Sequence, residues 1–375
     1  MKRNIAYLIF ILFAIVATSC LKIVEFEEKD IKPMLVVNCF LSPDSVPSVD
    51  LTYTVSAIED KEYFESVKNA KITFKQGETS FPDFTYITEI DSIVKWNNMG
   101  VQTSTKFESG KYKNGGVKIE SGKKYNIQIE AEGFETVNAE TEIPEIIKID
   151  KIDTFSTTRS DQYSTSVDRN AKIYFTDPSD QMNFYRVKTE IASLSFTPMT
   201  KDSFMIYPNY SSGYINSTDP VFGTDDTEDI FGGSSYNRFS IFDDKLFDGK
   251  QYGLSVILNS EYKYSDGNIS NYSFNIYRIE LSSISEAMYL YLNSVGKQSN
   301  SGFALFTEPV LIYSNVDKGA GIFAGSSSDV YYIVTHNLPN ELLSKLPLFM
   351  GEKNLHNYIK KLYSQYIRNY QEIKL

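Results

Sequence analysis

Apolar and polar residues alternate through much of the first third of the chain. In K-K-Y-N-I-Q-I-E-A, Tyr125, Ile127, Ile129 and Ala131 fall on one side of an extended backbone, and Lys124, Asn126, Gln128 and Glu130 on the other. A period of two is the mark of a strand with one buried face. Val137, Ala139, Thr141 and Ile143 repeat it. The runs M-L-V-V-N-C-F-L, V-D-L-T-Y-T-V and V-K-N-A-K-I-T-F predict earlier strands at 34–41, 49–55 and 67–74. Residues 75–105 are polar and without period, which reads as a connecting stretch. Gly110, Gly122 and Gly133 fall between the later runs, and Pro144 ends the region. Short strands separated by turns make 34–145 a small β-sandwich.

The pattern resumes after Pro144. A-K-I-Y-F-T-D-P (171–178) and N-F-Y-R-V-K-T-E-I (183–191) read as paired strands around D-P-S-D-Q, and residues 195–235 read as loop. R-F-S-I-F, Y-G-L-S-V-I-L and N-Y-S-F-N-I-Y-R-I-E-L add strands. The period then changes. Leu281, Ile284, Met288, Leu292 and Val295 stand at helical spacing, Ser283 with Glu286 forms a capping box, and Gly296 is a stop, which predicts a helix over 282–295. Strands predicted at 310–314 and 330–334 flank G-A-G-I-F-A-G. A dinucleotide loop requires a strand, the glycines and then a helix N-terminus. Here a strand follows instead, so the glycines are expected to form a turn or bulge closing a second sandwich, 146–336. Gly321→Val is then expected to harm folding before any binding. In 337–375, Leu355, Tyr358, Ile359, Leu362, Tyr366 and Tyr370 predict an amphipathic helix. The fold class expected is all-β: two sandwiches, the first transthyretin-like or Ig-like, one helix packed on the second, and a helical tail.

The start of the chain changes the setting. Lys2 and Arg3 precede an apolar run from Ile5 to Ala17, too short to span a bilayer and matched to a secretory leader. The run ends in A-T-S-C. A cysteine after small residues suits bacterial lipoprotein processing, with residues 1–19 removed, Cys20 acylated and 20–33 left as a tether. Several acyl chains anchor a protein stably where one does not. Removing 1–19 leaves 35 basic and 48 acidic residues, a net charge of −13. Nucleic acid is excluded as a partner, because phosphate binding requires a basic face. Only Cys39 remains beside Cys20, so neither an internal disulfide nor a C-x-x-C metal or redox site is expected. The 27 Tyr and 25 Phe suit pleated surfaces and partner contacts.

Catalytic constellations are missing. His336 and His356 are the only histidines, and neither G-x-S-x-G nor H-E-x-x-H occurs. A glycosidase requires only two facing carboxylates, which sequence alone does not single out among the acids here. Asp225, Asp226, Glu228 and Asp229 offer oxygen ligands for Ca²⁺ but lack the D-x-D-x-D-G pattern, and a solvated loop fits the same residues. No cofactor is expected.

V-K-N-A-K-I-T-F, G-K-Y and Y-N-I-Q-I-E-A-E-G-F resemble transthyretin-like and carboxypeptidase-regulatory-like modules, a likeness of fold only. A wider resemblance rests on P-M-L-V-V-N-C-F-L-S, F-D-D-K-L-F-D-G-K-Q-Y, I-E-L-S-S-I-S-E-A-M-Y-L-Y-L-N-S-V and F-T-E-P-V-L-I-Y-S-N-V-D-K-G-A-G-I-F-A-G. Together these are similar to a Bacteroidota lipoprotein family, domain-of-unknown-function family 4249, from about Cys20 to Gly325. Its C-terminal signature here comprises Glu308, Pro309, Asn315, Gly319, Gly321, Phe323 and Gly325. The tail 337–375 departs from that pattern. The resemblance implies a lipid-anchored outer-membrane protein, with the cell surface the preferred face, serving as a non-enzymatic accessory to a TonB-dependent receptor in taking up a small ligand. A surface adhesin or assembly subunit is the alternative, and a carbohydrate hydrolase a third reading.

Overall fold

A computed structural model describes residues 32–336 except 44, 57–62, 97–101, 161–163, 201–202, 214, 216, 218, 224–236, 265–271 and 302–310. The first region holds β1 (Leu35–Leu41), β2 (Ser48–Tyr53), β3 (Lys71–Gln76), β4 (Thr79–Ser80), β5 (Thr85–Trp96), β6 (Gln102–Lys113), β7 (Lys123–Glu130) and β8 (Val137–Ile143). The second holds β9 (Ile149–Ser160), β10 (Ser164–Thr176), β11 (Phe184–Thr200), β12 (Ser203–Gly213), β13 (Ile241–Asp243), β14 (Gln251–Tyr264), β15 (Tyr272–Ile284) and β16 (Ala320–His336). Among the described residues one α-helix, α1 (Glu286–Ser301), lies between the last two strands. The protein is all-β.

Three sheets build it. A nine-stranded sheet runs β12–β11–β15–β16–β1–β2–β6–β5, with β13 also on β11. The four-stranded sheet β4–β3–β7–β8 covers one end of it, and the three-stranded sheet β14–β10–β9 accompanies the other. Each gap holds its own apolar core. Phe74, Tyr125, Ile127, Ile129 and Leu51 fill the first, and Phe175, Tyr185, Phe242, Phe247, Ile279 and Leu281 the second. The alternation read from β7 is realised: Tyr125, Ile127 and Ile129 are buried while Lys124, Asn126 and Gln128 are exposed.

The two sandwiches share a sheet because β16 belongs to both. Ala320–Gly325 pairs in parallel with Val36–Leu41 of β1. Ser326–His336 pairs antiparallel with Phe274–Ile284 of β15. At ~3.3 Å per residue the strand runs roughly 55 Å, from the first core into the second. Phe323, and Val316 just before the strand, are buried in the first core. The opposite face presents Ile322 and Ala324 to Met288 and Leu292 of α1.

The glycine stretch is therefore not a turn between antiparallel strands, nor does it close the second sandwich. It is itself a strand, and it completes the first. Residues 311–316 are not strand either. A strand buried on both faces loses the alternation that marks a half-buried one, and close backbone packing calls for glycine. The helix also differs from expectation. Leu281 and Ile284 end β15, opposite Asp329 and Ser326, and α1 starts only after Ser285. Gly296 lies inside α1, against Phe239. The strands around D-P-S-D-Q do not pair. β10 lies between β9 and β14, β11 belongs to the large sheet, and the turn carries the chain from one layer to the other. Much of 75–105 forms the β5–β6 hairpin, and β12 occupies part of 195–235.

Candidate binding cleft between the two sandwiches

Backbone contact around the glycines fixes where the two sandwiches meet. Gly321 has φ +98°, and a Cβ there would lie 2.8 Å from both the amide nitrogen and the carbonyl carbon of Val37. A Cβ on Gly325 would lie 2.9 Å from the Glu142 carbonyl oxygen and closer still to the Ile143 side chain. On Gly319 it would lie 2.9 Å from the Leu35 carbonyl oxygen. Asn315 locks the approach. Its Nδ2 donates to the carbonyls of Phe323 (2.8 Å) and Glu140 (3.1 Å), and its Oδ1 accepts from the Phe323 amide (3.0 Å). Asp317 bridges to Asn138 of β8. Of the signature residues, Asn315, Gly319, Gly321, Phe323 and Gly325 thus converge on one seam and act on the backbone. Glu308 and Pro309 lie outside the described residues.

The helix is tied to the same seam. The Ser285 Oγ accepts from the amides of Met288 (3.3 Å) and Gly325 (3.2 Å), and its own amide donates to the Gly325 carbonyl (2.8 Å). It is a helix cap that also holds a strand. Along α1, Tyr289 packs on Phe184 of the second sandwich and Tyr291 on Phe40 of the first.

Beside this seam a cleft of about 530 Å³ opens, a size usual for small-molecule sites (~300–1,000 Å³). Its walls come from β8 and the chain after it (Thr141, Glu142, Glu145), the D-P-S-D-Q turn (Met182, Asn183), the start of α1 (Glu286) and Tyr313. Two residues of the lining, Thr141 and Ser283, carry hydroxyls that are buried from solvent with no hydrogen-bond partner among the described residues, and Thr141 shares the inward face of β8 with Ala139 and Ile143. An unmatched buried hydroxyl costs about 1–3 kcal/mol. The first amides of a helix likewise lack intrahelical acceptors. Lys124 lines the wall 3.7 Å from Glu142. The lining holds carboxylates, hydroxyls, two aromatic rings and a thioether, with neither histidine nor cysteine among the described residues. This chemistry can hold a polar molecule by hydrogen bonds.

A second group of acids gathers at the far side of the D-P-S-D-Q turn. Oxygens of Asp177, Asp244 and Asp248 lie within 4.8 Å of one another. Asp177 and Asp244 are buried, and Asp248 is exposed. Tyr185 donates to Asp177 Oδ1, the Gly249 amide to its Oδ2 (2.8 Å), and the Asn183 amide to Asp244 Oδ2 (2.6 Å). Burial raises the Asp177 carboxyl above the usual carboxylate range, while Tyr185 and the Gly249 amide pull it back. Both Asp177 oxygens already accept from the protein, so the described role is to staple F-D-D-K-L-F-D-G to the turn. The acids singled out from sequence, Asp225, Asp226, Glu228 and Asp229, lie outside the described residues, as do Cys20, His356 and the tail. Sequence reading missed the trio because its members are far apart along the chain, although two of them sit in F-D-D-K-L-F-D-G.

Fold and seam define an all-β protein of two sandwiches on one shared sheet, joined by a glycine-rich strand. The chain belongs to the family described as Domain of unknown function (DUF4249), whose model matches residues 22–331. A comparison with curated proteins gives no match. Among the described residues, no helix is long and apolar enough to cross a membrane.

Proposed function

We propose that this chain is a non-enzymatic lipoprotein of the outer membrane, anchored through Cys20, that holds a small polar ligand in the cleft as an accessory to a TonB-dependent receptor. The observation that carries the binding role is a cleft of ligand size whose lining gathers Glu142, Glu145, Asn183, Glu286 and Tyr313. The K-R…A-T-S-C leader supports the anchor, and the family resemblance supports the receptor. Affinity purification of the tagged protein from its native membranes tests the partnership. A TonB-dependent receptor is expected to co-purify at near-stoichiometric amount. Its absence, with the receptor intact in the same membranes, contradicts the proposal. Glycoside hydrolysis is the second reading, favoured by Glu142, Glu145 and Glu286 around the cleft. Turnover of chromogenic glycosides, abolished by Glu→Gln changes there, would establish it instead.

A further inference from the structure

The register of the large sheet shows how far each part extends along the strand direction. Cys39 pairs with Val49, which sets Ser48 level with Phe40, and Ser48 pairs with Lys113. From that level β1 descends five residues to Leu35, whereas β6 descends eleven to Gln102. The β5–β6 hairpin thus reaches six residues past the start of β1, about 20 Å, at the end where the chain enters. Beyond its pairs with β2, β6 pairs among the described residues with β5 alone. The second sandwich lies the other way, since β16 runs parallel to β1 and continues to His336.

Large apolar side chains are exposed at this entering end. Ile90 is 76% exposed, Phe64 60%, Val94 46% and Met34 43%. Ile90 and Val94 share one face of β5, at the levels of Glu108 and Ser104. Tyr63, next to Phe64, stacks on Phe107 of β6 (4.5 Å between ring centroids), which places that segment at the same level. The last residue of β5 is Trp96, the one tryptophan of the chain. Between Cys20 and Lys32 lie at most ~40 Å of extended chain, so an anchored body keeps this end within about that distance of the bilayer.

We propose that the β5–β6 hairpin is a membrane-contacting element, seating Ile90 and Val94 in the headgroup region of the lipid surface that holds Cys20. Apolar and tryptophan residues favour that region. Contact there would fix the tilt of the body and turn the distal ends of the second sandwich away from the membrane. The inference rests on the lipid-anchor reading of Cys20, and the test separates the two.

The acylated protein, purified from membranes, is reconstituted into vesicles of phosphatidylethanolamine and phosphatidylglycerol, with plain or brominated acyl chains. Flotation reports anchoring, and Trp96 emission reports hairpin contact. Wild type is expected to float and to lose at least half its emission in brominated vesicles. An Ile90→Ser/Val94→Ser variant, changed only at exposed positions, is expected to float equally and recover most of that emission. Flotation with equal emission in both vesicle types overturns the hairpin proposal and leaves the anchor standing, as does quenching that the double variant does not reduce. A hairpin docked on a receptor protein instead would give the first of these results. Failure to float overturns both.

Discussion

The two halves of β16 use opposite means to hold their neighbours. Ala320–Gly325 is parallel to β1 and packed so closely that Cβ atoms are excluded at Gly321 and Gly325. Ser326–His336 is antiparallel to β15 and carries full side chains, with a charged network on the face turned away from the second core. There Arg278 reaches Glu280 at 2.6 Å and Glu190 at 3.6 Å, Lys188 lies 3.8 Å from Glu280, and Ser328 donates to Glu280. Burial alone would raise the Glu280 carboxyl, but Lys188 and Arg278 outweigh it and hold it below the usual range. The first half depends on the absence of side chains and the second on their pairing. Of the signature residues, Gly321, Phe323 and Gly325 lie in the first half and Asn315 and Gly319 just before it, which makes the signature a structural seam rather than a phosphate cradle.

Disruption of the first half is expected to have the largest effect. Gly321→Val places a branched side chain at φ +98° against the Val37 backbone, and a loss of more than about 4 kcal/mol follows. Soluble yield and circular dichroism check it, and a Tm near wild type would break the contrast. In the second half, Glu280→Ala leaves Arg278, only 12% exposed, without its nearest anion, an expected cost of about 2–4 kcal/mol by urea unfolding. Ser285→Ala removes the cap and one bond to Gly325, with about 1–2 kcal/mol expected. Should Ser285→Ala cost more than Glu280→Ala, the helix rather than the charges governs this part of the sheet.

The smallest effect is a pH trend at Asp177. Its folded pKa is raised, so the protonated form suits the fold. That contribution is present below the ordinary aspartate pKa of about 3.9 and is lost as pH rises through the raised value. Asp177→Asn removes the titration. The Tm difference, wild type minus variant, is expected to fall as pH rises above about 4. A flat or rising difference would mean that the bonds from Tyr185 and Gly249 outweigh burial.

Legibility followed burial geometry. β7 and β8 were readable because one face is buried and one wet, so Tyr125, Ile127 and Ile129 stand out between charged neighbours. The first half of β16 was not. Ile322 and Phe323 are buried on opposite faces, and glycines that admit a neighbouring backbone look in sequence like a turn. The start of α1 was misplaced by three to four residues because Leu281 and Ile284 combine helical spacing with strand pairing where β15 bends into the helix. The cleft had no signature at all. Thr141, Asn183, Ser283 and Tyr313 come from separate segments brought together by the shared sheet.

If β16 joins the sandwiches into one structure, the first cannot open while the second stays folded. Cys39 reports this, being fully buried in β1 opposite Phe323, its thiol pushed up to about 12 by burial. With Cys20 acylated or replaced by serine, thiol labelling of Cys39 across a urea series is compared with hydrogen exchange at β11 and β15. Labelling at the same midpoint as loss of exchange protection in the second sandwich is the expected result. Labelling at clearly lower urea, with β11 and β15 still protected, would contradict the shared-strand account.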